Sequence, residues 1–418
     1  MVALEKKPAN AFLAALIAFY LVFAFIVLPL LGPMRNLGIL EPGYIRNALL
    51  PPLLLLIVLS VGIGSLLRPV GSVQILFLLM FAQGAVVGGV KFLEEYSFRY
   101  YSSHLFQVAS AYVLVKVGWL LYRRWDERFW RKIVVIALVS TLISSAITIA
   151  ALGRGDIGRY YTAAYGFILI SAFAVVASKK IYILSFIGAL ISNKRAVLIA
   201  VILMFFAKPF SRGVTAKKNI AAILSKFTLL FVSSLLLVGV CYALLVWSEA
   251  NQEHALAKAV NISAGRFERF FIEADTEQTL DQLSSGRLDE IKSAVETLDW
   301  IDVLVGSGAG WSVTLEGGEE DKVVQNIHFT PISLVAVYGV PITSVFYLIL
   351  LVKLFIGLRL YKGQLGIMEK MAPLYVLGGC VHSFFAYSLF IDWMFFFFFG
   401  VMLRSISNDR KRSRGIAL

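Results

Sequence analysis

Cysteine is nearly absent from this chain: among 418 residues there are two, Cys241 and Cys380, and both lie in apolar stretches. Two such thiols offer neither a disulfide framework nor a cysteine-based metal cluster. Charge is scarce as well. Asp, Glu, Lys and Arg make up 16% of the residues, against about 25% in a soluble domain. Hydrophobic residues make up 59%, and the mean hydropathy is +0.80. An ordinary water-soluble enzyme is excluded. The sequence also has no Walker A loop, no HExxH and no Cys/His ligand spacing. Gly306-Ser307-Gly308-Ala309-Gly310 is rich in small residues but is not a GxSxG elbow. Ser307 falls in a polar loop, whereas an intramembrane serine protease needs its Ser on a helix facing a His.

What the chain does have is long apolar runs. Residues 11–31 (AFLAALIAFYLVFAFIVLPLL) are long enough to cross a bilayer, which takes ~20 apolar residues. The run exceeds the apolar region of a cleaved signal peptide, so a retained helix is expected. Further candidate spans cover 47–67, 72–90, 104–122, 133–152, 160–177, 181–192, 196–207, 227–248, 330–352, 372–390 and 393–403. The expected fold is an all-α polytopic integral membrane protein with about twelve transmembrane helices. Residues 1–248 would hold nine of them and 330–404 the other three. Residues 249–329 form one large polar loop, and 405–418 a basic tail.

The net charge of +13 would suggest nucleic acid in a soluble protein, but its distribution points to topology. With the N-terminus inside, the connections assigned to the cytoplasm carry 24 Lys/Arg and 5 Asp/Glu, and the outer ones 14 and 21. No nucleic-acid partner is needed, and both termini are expected in the cytoplasm. The segment 181–207, interrupted by Asn193-Lys194-Arg195, reads as a hairpin of two short spans rather than one helix. A single helix would move three basic connections to the outside, against the positive-inside rule. In the loop, 285–298 sets Leu288, Ile291, Val295 and Leu298 on one helical stripe, so a helix packed on an apolar surface is expected.

Basic residues on the outer side are the most informative candidates. They are Arg35, Arg46, Lys91, Arg99, Arg154, Arg159, Lys194, Arg195 and Arg287. Arg holds phosphate through paired N–H donors and keeps its charge, so such a set suits a membrane-anchored phosphate or diphosphate. The plain alternative is that each pairs with an outer acid or a lipid headgroup. Of four histidines, His104 and His254 sit in polar flanks and are expected to be solvated, and His382 lies within a span. His328 stands where the chain returns to the membrane, within reach of loop and lipid boundary. It is a candidate acid, base or donor, or else a structural residue. Lys116, buried in a span, is expected to snorkel toward the inner surface.

Residues 285–311 (SGRLDEIKSAVETLDWIDVLVGSGAGW) and 326–339 (NIHFTPISLVAVYG) resemble the large outer loop of the O-antigen polymerase and O-antigen ligase superfamily. The matching features are Gly286-Arg287 at a helix start, Gly306-Ser307-Gly308, and His328 followed eleven residues later by Gly339. Ser192-Asn193-Lys194-Arg195-Ala196 is similar to the family's Ser-x-x-Arg-Ala at an outer turn. Phe329 stands where the family usually has Asn, Ser or Gln, and Asn326 is the candidate replacement.

The resemblance implies a GT-C-like helical architecture in the bacterial inner membrane with a periplasmic loop at 249–329. It also implies a glycosyltransferase whose donor is a glycan on undecaprenyl diphosphate. Arg195 and Arg287 would hold the diphosphate, and His328 would serve the acceptor hydroxyl. Lys194, Arg154, Arg159, Gly306, Gly308 and Asn326 would line the substrate site. No cofactor or metal is implied. The acceptor would be another glycan, for a polymerase of O-antigen or exopolysaccharide, or lipid A core, for a ligase. A chain-length regulator is a further expected partner beside membrane lipids. A polysaccharide or lipid transporter is the reading from another class; it needs a polar path across the bilayer, for which only Lys116 and His382 are in place.

Overall fold

The computed structural model describes residues 8–36, 38–39, 42–92, 96–154, 166–192, 194–207, 242–243, 246–252, 257, 261, 287–315, 322–324, 327–360, 365–384 and 389–413. The protein is mostly helical. Among the described residues six helices are long and apolar enough to cross a membrane: Ala11–Arg35, Gly43–Val61, Ser72–Phe92, Phe98–Leu121, Glu127–Thr148 and Thr330–Arg359. All six fall on runs expected to span. The candidate span 227–248 lies largely outside the described residues, as does most of 249–286.

The chain begins with α1 (Pro8–Val22), which passes through a π-helical turn (Phe23–Val27) into α2 (Leu28–Asn36). Next come α3 (Pro42–Val61), the short α4 (Ile63–Leu66), α5 (Ser72–Phe92), α6 (Phe98–Leu121) and α7 (Glu127–Arg154). Three shorter helices follow: α8 (Gly166–Ala177), α9 (Lys179–Ile191) and α10 (Arg195–Ala207). Beyond them lie α11 (Arg287–Glu296), α12 (Trp300–Val305), strands β1 (Val313–Leu315) and β2 (Lys322–Val324), α13 (Thr330–Arg359), α14 (Ile367–Ser383) and α15 (Trp393–Ser413).

The core is built around α15. Phe395 to Phe399 are all buried, so this stretch is apolar on every side and belongs in the middle of a bundle. It crosses α6 at close range. A side chain at Gly118 would overlap the Phe397 carbonyl, and one at Gly400 the Val115 carbonyl. Small residues let helices approach in this way when lipid supplies no hydrophobic drive between them. Aromatic edges then fill the space around the crossing, as where Phe77 meets Phe396 at 5.4 Å between ring centres and 86° between planes.

Residues 179–207 form two helices folded against each other, as their charge pattern predicts. Tyr182 stacks on Phe205 and donates to the Val201 carbonyl at 3.1 Å, pairings symmetric about the break near 193. The loop departs from the expected all-α fold. It is not wholly helical, since β1 and β2 pair antiparallel with Val313 opposite Val324. Val313, Thr314, Val323 and Val324 favour a pleated surface, and so short a ribbon needs support. β1 finds it against α11.

Some of the connections assigned to one side come together at one end of the bundle. At this end, the basic end, Arg123 bridges to buried Glu369 through Nε–Oε2 at 3.1 Å and Nη2–Oε1 at 3.2 Å. Lys116 Nζ donates to the Arg68 carbonyl at 2.8 Å there, so the span's lysine reaches toward this end but stays buried, 6% exposed, instead of snorkelling to the surface. The Arg404 guanidinium lies 4.9 Å from the centre of the Trp119 ring. The opposite, acidic end carries α11, α12 and the β-ribbon as a cap.

Candidate functional site

The cap is docked through a broken helix. In α13, Gly339 has φ 75° and ψ 165°, outside the helical region and open to glycine at little cost. The break leaves carbonyls above it without their usual helical partners. Ala336 and Val337 accept instead from the N–H groups of Ser307, at 2.7 Å, and Gly308, at 3.0 Å. The glycine-rich loop after α12 thus pairs with unwound backbone. A side chain at Gly339 would overlap the Leu304 carbonyl.

The other side of the loop rests on α5, where Gly84 and Gly88 are spaced one turn apart. Ala309 N–H donates to the Gly84 carbonyl at 3.0 Å. A side chain at Gly308, whose φ is 80°, would run into the backbone of Gly88. Gln83 Nε2 donates to the Val305 carbonyl at 2.6 Å and to that of Val337 at 3.2 Å, stitching α5, α12 and α13 together. Tyr96 Oη donates to the Ser307 carbonyl at 3.1 Å, and Lys91 pairs with Asp302 at 2.7 Å.

His104 corrects its sequence reading. It is buried rather than solvated, and its Nδ1 accepts from the Gly310 N–H at 3.0 Å. A polar flank on a membrane helix became an interior position because the cap folds down over it.

Beside this frame stands His328, two residues before α13. Its backbone N–H donates to Glu290 Oε2 at 2.9 Å, and its ring Nδ1 lies 2.9 and 2.8 Å from Glu290 Oε1 and Oε2. Glu290 sits in the first turn of α11, with its side chain 15% exposed; that of His328 is 39% exposed. A carboxylate at Nδ1 selects the tautomer with the proton there, which makes Nε2 the acceptor nitrogen of the ring. Such a ring can take a proton from a hydroxyl while the carboxylate stabilises the resulting imidazolium.

Arg287 is the first residue of α11, one turn before Glu290, so its backbone is close to the His328–Glu290 pair. Gly306 and Gly308 are buried, and their close approaches to α13 and α5 give the spacing a packing role in the wall. Lys194 is half-buried between α9 and α10, its carbonyl accepting from Val197 and Leu198, and Arg195 opens α10. α10 packs on α14, which in turn packs on α13. Arg154 ends α7. Arg159 and Asn326 lie outside the described residues. The structure therefore joins His328 to the start of α11 and keeps the 194–195 corner on a separate helix pair.

Glu290 is the residue sequence reasoning missed. Its only signal is position, as a first-turn acid three residues after Arg287, and nothing local ties it to a histidine 38 positions on. Asp392 was also missed. It accepts from Met394 N–H at 3.0 Å and from Tyr375 Oη at 3.3 Å, capping the buried start of α15. Among the described residues no three His, Cys, Asp or Glu side chains converge as a metal site requires. Compared with family models and with curated proteins, the chain finds no match.

Proposed function

We propose that the protein is a membrane glycosyltransferase acting on a glycan carried by a polyprenyl diphosphate, with a GT-C-like bundle of about twelve spans and a periplasmic cap. The observation that carries this reading is the His328–Glu290 pair, held one turn from Arg287 where a cap meets a broken membrane helix. A hydroxyl acceptor needs a base, and a diphosphate leaving group needs fixed cations.

In the proposed reaction His328 Nε2 accepts the proton of the acceptor hydroxyl. The freed oxygen forms a bond to C1 of the donor sugar, and the bond from C1 to the diphosphate oxygen breaks with its electron pair. Arg287 and Arg195 hold the departing diphosphate. Glu290 orients the ring and balances its positive charge. Lys194, Arg154, Arg159 and Asn326 are assigned to substrate binding, and Gly306 and Gly308 to the wall of the site. Holding donor and acceptor together at the lipid boundary supplies much of the remaining acceleration. Lys116, engaged with the Arg68 carbonyl at the basic end, is a poor member of a polar path, which disfavours a transporter.

Polymerisation of repeat units is the preferred transfer, with ligation to lipid A core as the alternative. The test is a gel of surface and lipid-linked glycan from a deletion strain, complemented by wild type, His328→Ala or Glu290→Gln. Single repeats on their acceptor mean polymerase; long chains stranded on the lipid carrier mean ligase. His328→Ala, at normal protein level, is expected to lower transfer by 10²-fold or more, in the range of a lost general base. Full complementation by His328→Ala would overturn the assignment.

A further inference from the structure

The basic end holds a cavity of about 360 Å³ between the start of α5, α6, the last turns of α13 and the end of α15. Lys353, Arg410 and Lys411 line it, and no Asp or Glu is among its lining residues. Ser72 contributes from the first turn of α5, where helix N–H groups lack intrahelical acceptors and the partial charge is positive. Ser407 adds a second hydroxyl, and the rest of the wall is largely apolar, including Trp119 and Ile406. Trp119 is backed by the Arg404 guanidinium, which fixes that wall.

The cavity lies where α5 begins and α13 nears its end, at the ends of two helices apolar enough to cross a membrane. On α5 the face that carries Ser72 continues through Ile75 and Leu79, 50% and 56% exposed, so a chamber lined by basic side chains adjoins an exposed apolar surface. A free anion would use only the first of these features. A molecule with a phosphate head and hydrocarbon tails uses both, as basic pockets between membrane helices do for anionic headgroups.

We propose that this cavity binds the phosphate headgroup of an anionic phospholipid in the leaflet at the basic end. The site is at the opposite end from His328 and stands apart from sugar transfer.

The test uses the purified full chain in detergent with added phosphatidylglycerol, read as lipid retained by native mass spectrometry. Lys353→Gln/Arg410→Gln/Lys411→Gln is expected to weaken retention on the order of a hundredfold, and Arg410→Gln alone about fivefold. Arg410 is exposed near a helix end, so its single substitution leaves the bundle intact if the triple variant fails to fold. Arg131→Gln/Lys132→Gln, at the same end but outside the cavity, is expected to retain lipid as wild type does. Equal retention by wild type, Arg410→Gln and the triple variant would overturn the proposal. So would an equal loss in the Arg131/Lys132 control, which would mean diffuse surface charge. Displacement of the lipid by millimolar inorganic phosphate would assign the cavity to free phosphate and overturn the lipid assignment; retention under phosphate supports it.

Discussion

At the acidic end the cap is docked by backbone meeting backbone: Ser307 and Gly308 on Ala336 and Val337, and Ala309 on Gly84. At the basic end the connections meet through long side chains: Arg123 on Glu369, Lys116 on the Arg68 carbonyl, and Arg404 on Trp119. Backbone contacts leave little freedom to adjust, because Gly88, Gly306, Gly308 and Gly339 each face backbone atoms that cannot rotate away. Flexible side chains can re-form contacts after a small shift. In the proposed reaction the rigid end is where a base would be held against a substrate, and the adaptable end is where the basic side chains gather.

This contrast is broken most directly at Gly308. Gly308→Val forces a side chain into the Gly88 backbone and a β-branched residue into a positive φ. A loss of about 4 kcal/mol is expected, since overlap and backbone strain each cost ~1–3 kcal/mol. The readout is thermal unfolding of the purified protein, with protease cleavage appearing across 299–315. A midpoint within a degree or two of wild type would mean the loop can move away, and the end is not rigid.

A smaller effect is expected at Glu369. Glu369→Ala removes the buried partner of Arg123 and the acceptor of the Gly366 N–H at the start of α14. Because the Arg123 side chain is 41% exposed it regains water, so the loss should be about 1–2 kcal/mol, the range of a lost helix cap. Denaturant unfolding measures it, and a loss as large as that of Gly308→Val would erase the distinction between the ends. The smallest effect is at Lys91. Lys91→Ala breaks the pair with Asp302, a side-chain contact within the rigid end, and should cost about 0.5 kcal/mol because the lysine is one-third exposed. If docking of α12 depended on this pair, protease resistance of 299–315 would fall as it does for Gly308→Val.

Much of the fold was legible along the chain. The six long spans fall on apolar runs, and the hairpin at 179–207 follows from three polar residues and the positive-inside rule. The grouping of Arg68, Arg123, Glu369 and Arg404 at one end was implied by charge alone. The β-ribbon was not, because runs of three residues carry too little periodicity to separate strand from loop. At the candidate site, His328 stood out by type and place, and the helix beginning at Arg287 by its stripe. Glu290 and His104 did not, since their partners are 38 and 206 residues away.

Taken by itself, the sequence determined that this chain has helices apolar enough for a membrane, and it set the expectations of which connections share a side and of an acidic segment returning to the bilayer near a histidine. Those properties follow from hydropathy and charge, which act over a few neighbouring residues and against a planar boundary. Only the tertiary structure decided that Glu290 orients the His328 ring, that Gly308 and Gly339 lock the cap to a broken helix, and that Lys353, Arg410 and Lys411 share one cavity. Each of these needs several helices to pack at one angle and depth, and that geometry depends on contacts between residues the chain keeps far apart.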